Sequence, residues 1–172
     1  MTVSFLRRPE ISGDVAYIEL TRGHVAIIDA RDAELVGKWN WASLVAKRTV
    51  YARRNRLVGD GPGSACILLH RVIMAAPDGL EVDHRNGNGL DNRRDNLRVA
   101  THADNMKNTR MRGNNTSGFK GVYWDNFTGR WMAAIGHQGK FKNLGRFDTA
   151  EEAHAAYSAA ATELFGEFAR LA

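Results

Sequence analysis

The sequence predicts an α+β protein built from two or three small units. Short runs of aliphatic and aromatic residues, separated by Gly, Asn and Asp, predict strands near both ends of the chain. An Ala-rich segment that begins at residue 149 predicts one long helix. A chain of 172 residues supports several modest cores better than one large domain. We predict a β-rich N-terminal scaffold over 1–66, a polar central unit over 67–109, a basic linker over 110–117 and a last unit over 118–172.

The N-terminal region reads as a small mixed domain. Its apolar runs predict short strands at 15–20, 24–28, 38–45 and 49–53, with one or two helical turns over 29–36. The region leads into the apolar segment 67–74. We expect it to scaffold the central unit.

The central unit predicts two strands and a helix whose polar groups converge. Val82 leads into Asp83 and His84 at a strand end, and a Gly- and Asn-rich loop follows. The segment 97–100 alternates like a second strand. Thr101 and Asp104 form an imperfect capping box, which predicts a short helix over 102–108.

These residue types suit hydrolysis assisted by one metal ion. Asp83 and Asn105 offer the hard oxygen ligands that Mg²⁺ or Mn²⁺ prefers. His84, with an ordinary pKa of about 6.5, is suited to take a proton from an attacking water. Asn96 is expected to accept a hydrogen bond from the other ring nitrogen and so to orient the imidazole. An isolated Asp-His pair beside an Asn-Gly turn is more typical of a solvated loop, and the ordered Asn96 and Asn105 favour the catalytic alternative.

The same stretch resembles the HNH endonucleases of phage and homing type. The resemblance is carried by Leu69-His70-Arg71-Val72-Ile73-Met74, Val82-Asp83-His84, Asn86-Gly87-Asn88, Leu90-Asp91-Asn92, Asp95-Asn96-Leu97-Arg98 and Asn105-Met106-Lys107-Asn108. It implies a ββα-metal (His-Me finger) fold of the H-N-N variant, with His84 as base, Asn96 as orienter, and Asp83 and Asn105 as metal ligands. His70 either lines the cleft or packs in the core. His102 is either a further ligand or phosphate contact or, more simply, a surface residue.

The charge distribution favours a nucleic-acid partner. The chain carries 24 Lys and Arg against 19 Asp and Glu, a net charge of +5, with a pI of about 9.7. One basic cluster surrounds the central site. A second, near residue 50, either contacts DNA phosphates or is an ordinary exposed hairpin. We expect DNA contacts around the central unit from Arg53, Arg54, Arg71, Arg85, Arg93, Arg94, Arg98, Lys107, Arg110 and Arg112.

The last unit predicts an antiparallel three-stranded meander followed by a helix. Its apolar runs lie at 119–124, 131–135 and 140–147, separated by turn residues. Thr149 and Glu152 have capping-box spacing, and Gly166 predicts the end of the helix near residue 165. The strands are basic and the helix is acidic, which indicates that the sheet faces DNA, in a major groove wide enough for it.

This unit resembles the plant Apetala-two/ERF DNA-binding domain. The matching motifs are Gly118-Phe119-Lys120-Gly121-Val122-Tyr123, Arg130-Trp131-Met132-Ala133-Ala134-Ile135, Leu144-Gly145-Arg146-Phe147 and Thr149-Ala150-Glu151-Glu152-Ala153. By position in that family the candidate DNA contacts are Lys120, Tyr123, Arg130, Trp131, Lys142 and Asn143. Trp131 is alternatively a core residue. The first strand has fewer basic residues than in the plant family.

Together these features predict a metal-dependent, site-specific DNA endonuclease that acts on double-stranded DNA as a monomer or weak dimer. The alternatives are a DNA-binding regulator with a vestigial nuclease motif and, with less support, an RNA-cleaving enzyme. The single Cys66 excludes an intramolecular disulfide and a four-Cys zinc site. No apolar run approaches the roughly twenty residues of a membrane span. We expect a protein of phage or mobile-element origin in the bacterial cytoplasm.

Overall fold

The computed structural model describes residues 6–57, 59, 66–107, 115–137, 139–169 and 171. Contacts within the chain divide it into two compact units, Met1–His102 and Ala103–Ala172. Helices and strands are mixed along the chain, which confirms the predicted α+β class. No helix among the described residues is long and apolar enough to span a membrane.

The first sheet of the N-terminal unit is an antiparallel meander. Strands β1 (Glu10–Ser12), β2 (Val15–Glu19) and β3 (Val25–Asp29) lie in the order β1-β2-β3. Alternate residues of β2 and β3 are buried, as expected for a sheet with one face on a core. A 3₁₀ turn, Ala30–Asp32, and helix α1 (Ala33–Val36) confirm the predicted helical turns.

A second sheet brings the chain to the central unit. Strands β4 (Ala42–Val45), β5 (Val50–Asn55) and β6 (Cys66–Leu68) pair in that order, and helix α2 (Leu69–Met74) follows directly. The predicted third strand starts later than expected, at residue 42 rather than 38. The reason is Trp41, which is buried and donates its indole N–H to the Val36 carbonyl, so the chain before β4 follows α1 instead of a sheet.

The predicted polar hairpin is present and shares the N-terminal core. Strands β7 (Glu81–His84) and β8 (Leu97–Ala100) are antiparallel, with Asp83 opposite Arg98. A 3₁₀ turn, Arg94–Asn96, precedes β8, and helix α3 (His102–Lys107) follows it. The hairpin contributes Val82 and Leu97 to one buried cluster with residues of the first sheet, α1 and α2. The scaffold and the hairpin therefore do not have separate cores.

The second unit has the predicted sheet and helix. Strands β9 (Val122–Asp125), β10 (Arg130–His137) and β11 (Lys140–Phe147) form a sheet in the order β11-β10-β9. Helix α4 (Ala150–Phe165) begins with a complete capping box between Thr149 and Glu152. Gly121 has a φ of +74°, and a Cβ there would lie 2.1 Å from the Tyr157 ring, so only glycine permits this close approach of strand and helix.

Candidate active site

His84 is the buried imidazole at the end of β7. It is 5% exposed, and its Nε2 lies 3.3 Å from Oδ1 of Asn92. The Asn92 amide nitrogen lies 3.4 Å from the Gly89 carbonyl, which places the amide oxygen on the side of the imidazole. Nε2 therefore carries the proton and donates a hydrogen bond to Oδ1 of Asn92. Nδ1 is then the basic nitrogen of the neutral ring.

Asn96 acts on the loop rather than on the imidazole. Its Oδ1 accepts from the Asn86 backbone N–H at 3.0 Å, and its Nδ2 donates to the Asp91 carbonyl at 2.7 Å. The expected hydrogen bond from His84 to Asn96 is thus replaced by two bonds from Asn96 to the loop backbone. Asn96 fixes the loop that carries Asn92, and Asn92 contacts the base.

The N-terminal sheets hold the same loop in place. The Ile27 backbone donates to the Leu90 carbonyl at 2.8 Å and accepts from the Asn92 N–H at 2.7 Å. Gly89 packs against β5, where an added Cβ would lie 2.5 Å from the Val50 carbonyl oxygen and 2.6 Å from the Tyr51 ring. The position of Asn92 therefore depends on residues that lie more than thirty positions earlier in the chain.

Asp83 is a buried carboxylate held by arginine. Arg98 donates from Nε at 2.8 Å and from Nη2 at 2.6 Å, both to Oδ2 of Asp83. Both side chains are less than a tenth exposed. The guanidinium compensates the charge of the buried carboxylate, because an unpaired charge in the protein interior is costly.

The predicted metal ligands are of the hard oxygen type. Asp83 supplies a carboxylate, and Asn105, half-buried in α3, supplies an amide oxygen. Among the described residues there is no group of three or more His, Cys, Asp and Glu side chains able to hold a metal ion.

Burial lowers the pKa of His84, against the opposing effects of the Asn92 hydrogen bond and the charges of Asp83 and Asp91. Asp91 is itself held by the Arg93 guanidinium, and its pKa is lowered mainly by that hydrogen bond. The ring of His84 is therefore neutral, the form required of a base, near neutral pH.

Several arginines that we predicted as DNA contacts have partners within the protein. Arg98 is buried on Asp83, and Arg54 is buried with its guanidinium 4.4 Å from the centre of the Trp39 ring. Arg71 donates to the carbonyls of Leu80, Ala76 and Pro77. Guanidinium groups engaged in this way stabilise the fold, and DNA contact by these three arginines stays a prediction.

The other basic candidates of the central unit are placed differently. Arg93 and Arg94 are ion-paired with Asp91 and Asp32, although Arg93 stays nearly half exposed. Arg53 is half-buried and donates to Asn55 at 2.6 Å. Arg85 is exposed, and Lys107 ends α3. Arg110 and Arg112 lie outside the described residues.

In the second unit, strand register separates two faces of the sheet. Ala133 and Ile135 of β10 are buried towards α4. Met132 and Ala134, and the residues paired with them on the neighbouring strands, therefore lie on the open face. Tyr123 and Asn143 belong to that open face. Arg130 lies on the same face because it is two residues before Met132, and its guanidinium forms an ion pair with Asp148. Lys120 precedes β9 and is half-buried.

Trp131 and Lys142 belong to the helix-facing row. Trp131 is half-buried and packs on the core of this unit, so the core alternative describes it better than a DNA contact. Lys142 lies opposite Ile135 but is exposed on the edge strand. The open face also presents Phe141, 88% exposed, and Arg146, which the sequence analysis did not select.

Sequence reasoning missed Asn92 and Tyr51 as parts of the site. Asn92 was visible within the motif Leu90-Asp91-Asn92 but had no distinguishing signal beside Asn86, Asn88 and Asn96. Its burial and its contact with His84 become apparent only when the loop is folded.

Comparison with known proteins identifies both units. Residues 68–107 match the HNH endonuclease family model, and residues 117–167 match the AP2 domain model. Protein 3.8 of Escherichia phage T7 is 36% identical over 94 residues, which cover 55% of this chain and 77% of that protein. The chain belongs to the HNH endonuclease family. A second relative, the uncharacterized HNH endonuclease L560 of Acanthamoeba polyphaga mimivirus, is 33% identical over 107 residues, 59% of this chain and 54% of its own length.

No solved structure matches this HNH protein. The HNH and AP2 matches both indicate DNA binding. The HNH match covers the hairpin β7-β8 and helix α3, and therefore contains Asp83, His84, Asn92, Asn96 and Asn105.

Proposed function

We propose that this protein is a metal-dependent, site-specific DNA endonuclease of the phage or homing type. The observation that carries the proposal is the buried, neutral His84 whose Nε2–H is held by Asn92, beside the carboxylate of Asp83. A base in a defined tautomer next to a hard anionic ligand is the arrangement that phosphodiester hydrolysis requires.

The chain's own residues supply the proton transfer. Nδ1 of His84 takes a proton from a water molecule as that water attacks the phosphorus. The bond to the leaving oxygen breaks, and that oxygen keeps the electron pair and takes up a proton from solvent water. Asn92 keeps Nε2 protonated, so Nδ1 remains the accepting atom throughout. The negative charges of Asp83 and Asp91 favour the imidazolium that forms, because opposite charges raise the pKa of His84.

Asp83 and Asn105 are the residues that would hold one divalent ion, Mg²⁺ or Mn²⁺. HNH nucleases are generally dependent on divalent metals. When bound, the ion would supply Lewis-acid stabilisation of the charge that develops on the phosphate. The oxygen donors of both residues suit such an ion.

The AP2 unit would position the enzyme on double-stranded DNA. Its open face carries Tyr123, Arg130 and Asn143, and the exposed Lys142 lies on its edge strand. Further candidates for phosphate contacts are Arg53, Arg85, Arg93 and Arg94 and, later in the sequence, Lys107, Arg110 and Arg112. We propose a monomer or weak dimer that nicks one strand, or cuts both by dimerisation or a second event.

The phage relative supports a phage- or mobile-element-encoded protein. We propose that it acts in the cytoplasm of the bacterial host. The alternative function is a DNA-binding regulator, which the presence of all four predicted site residues disfavours.

The proposed substrate is tested by offering duplex DNA and a structured RNA of the same sequence, each with Mg²⁺ or Mn²⁺ and with excess chelator. We expect DNA cleavage that the chelator abolishes. Preferential RNA cleavage would contradict the DNA assignment, and tight binding of DNA without cleavage in either metal would favour the regulator.

Replacing Asn92 tests which asparagine orients the base. Asn92→Ala is expected to lower the cleavage rate about 10–100-fold, because the tautomer and orientation of His84 are no longer fixed. DNA affinity should be unchanged, since Asn92 is fully buried. Single-turnover cleavage and gel-shift titration measure the two quantities.

Asn88→Ala serves as the matched control, because Asn88 is an exposed asparagine of the same loop. Its rate should stay near that of the native protein. Thermal denaturation of both variants checks that the loop remains folded. A native cleavage rate in folded Asn92→Ala would contradict this role.

The pH dependence of cleavage follows from the lowered pKa of His84. A base is active when unprotonated, so a pKa below 6.5 extends activity to more acidic solution. We expect the rate to rise with pH through a midpoint below 6.5 and then to level off. Single-turnover rates at constant metal and saturating DNA measure it, and a midpoint above 6.5 would contradict the expectation.

A further inference from the structure

The ring of His84 in β7 contacts two other rings, those of His70 in α2 and Tyr51 in β5. The His70 and His84 ring centres lie 4.9 Å apart with planes at 83°, an edge-to-face contact. Tyr51 of β5 lies 5.6 Å from His70 and 5.8 Å from His84. The rings of His70 and Tyr51 thus both contact the ring of His84, while Asn92 contacts its Nε2.

His70 is an unusual residue for a purely structural position. It is 5% exposed, and its Nδ1 is buried without a hydrogen-bond partner among the described residues. A buried polar group left without a hydrogen bond destabilises the folded state. An apolar side chain at residue 70 would avoid that cost, so stability alone does not account for the histidine.

We propose that His70 is a positioning residue for His84, whose imidazole packs edge-to-face against the ring of the base and fixes its orientation. The proposal rests on the proposed function. Tyr51 completes the contact, which gives the N-terminal sheet a direct part in the site.

The electrostatics agree with this geometry. Burial, together with the neighbouring His84 and Arg71, lowers the pKa of His70 to about 3. The His70 ring is therefore uncharged near neutral pH.

The informative variant is His70→Phe. Phenylalanine removes the unpaired nitrogen, so thermal stability should be equal or higher. It also removes the ring dipole and is larger than imidazole, so the cleavage rate should fall at least about tenfold at unchanged DNA affinity. Single-turnover rates at saturating DNA and gel-shift titration separate rate from binding.

Two further comparisons make the test specific. His154→Phe is the matched control, because His154 of α4 also has a buried Nδ1 without a hydrogen-bond partner among the described residues but lies outside the proposed site. It should retain the cleavage rate within about threefold. In the His84→Ala background, His70→Phe should cause no further loss, because a residue that acts through His84 has nothing left to position. A native rate in His70→Phe, an equal loss in His154→Phe, or an additive loss in the double variant would each overturn the assignment. Unimpaired cleavage by His84→Ala would instead refute the proposed function itself.

Discussion

Replacing His84 with alanine is expected to lower the rate of DNA cleavage by about 10²–10⁴-fold, the usual contribution of a general base. The reason is the loss of Nδ1, the proton acceptor fixed by the hydrogen bond from Nε2 to Asn92. DNA affinity should be retained, because His84 is buried and its pKa keeps it uncharged near neutral pH. Single-turnover cleavage at saturating protein, with a parallel gel shift, measures both.

His24→Ala is the control for this prediction, since His24 lies in the N-terminal sheet region and its described hydrogen bond is a long one, 3.4 Å, to Thr21. It should cleave at the native rate. A folded His84→Ala that cuts within a few-fold of native protein would exclude His84 as the base and leave the hairpin without its proposed chemistry.

Replacing Arg98 is expected to cause the largest loss of stability. Arg98→Met leaves Asp83 buried without its guanidinium partner, and breaking one side of a buried pair costs about 3–5 kcal/mol. The loss belongs to the first unit, where Asp83 and Arg98 lie opposite each other in β7 and β8. Native-state hydrogen exchange of the β7 and β8 amides measures the free energy of opening.

Arg31→Ala is the matched control, because its pair with Asp29 is long, 3.8 Å, and Arg31 is exposed. Such pairs contribute about 0–1 kcal/mol. The double variant Asp83→Leu with Arg98→Met should recover much of the lost stability, since neither charge of this pair then remains buried. Equal losses in Arg98→Met and Arg31→Ala would show that the buried pair has no special weight.

Local patterns predicted the parts of the fold that depend on near neighbours. The capping box at Thr149 and Glu152, the hairpin ending at His84 and the three-stranded meander are all confirmed. Each is built from elements that are neighbours along the chain, so alternation and turn chemistry suffice to find it. Strand β1 was missed because its three residues are all exposed and show no alternation.

The fate of the arginines could not be predicted from local patterns. Arg94 pairs with Asp32, 62 residues away, and Arg54 stacks on Trp39. Both appear in the sequence as unpartnered basic residues in polar or basic stretches, which is also how a phosphate-binding residue appears. Only the tertiary structure distinguishes the two.

The site was predicted in its residue types and less well in its contacts. Asp83 and His84 lie together at the end of β7 as expected, but Asn92 rather than Asn96 contacts the imidazole. The difference arises because loop 85–96 folds back and is tied to Ile27 through backbone hydrogen bonds. The spacing of residues within the motif cannot predict hydrogen bonds to a strand more than sixty residues earlier in the chain.

The central claim is that Asp83 and His84 belong to a working nuclease. Its most direct test is the conversion of supercoiled DNA by native protein and by His84→Ala, at a protein concentration that binds all the DNA, with Mg²⁺, Mn²⁺ or excess chelator. The account predicts nicked or linear DNA for native protein with metal alone. Fully bound but intact DNA with native protein in both metals would contradict it.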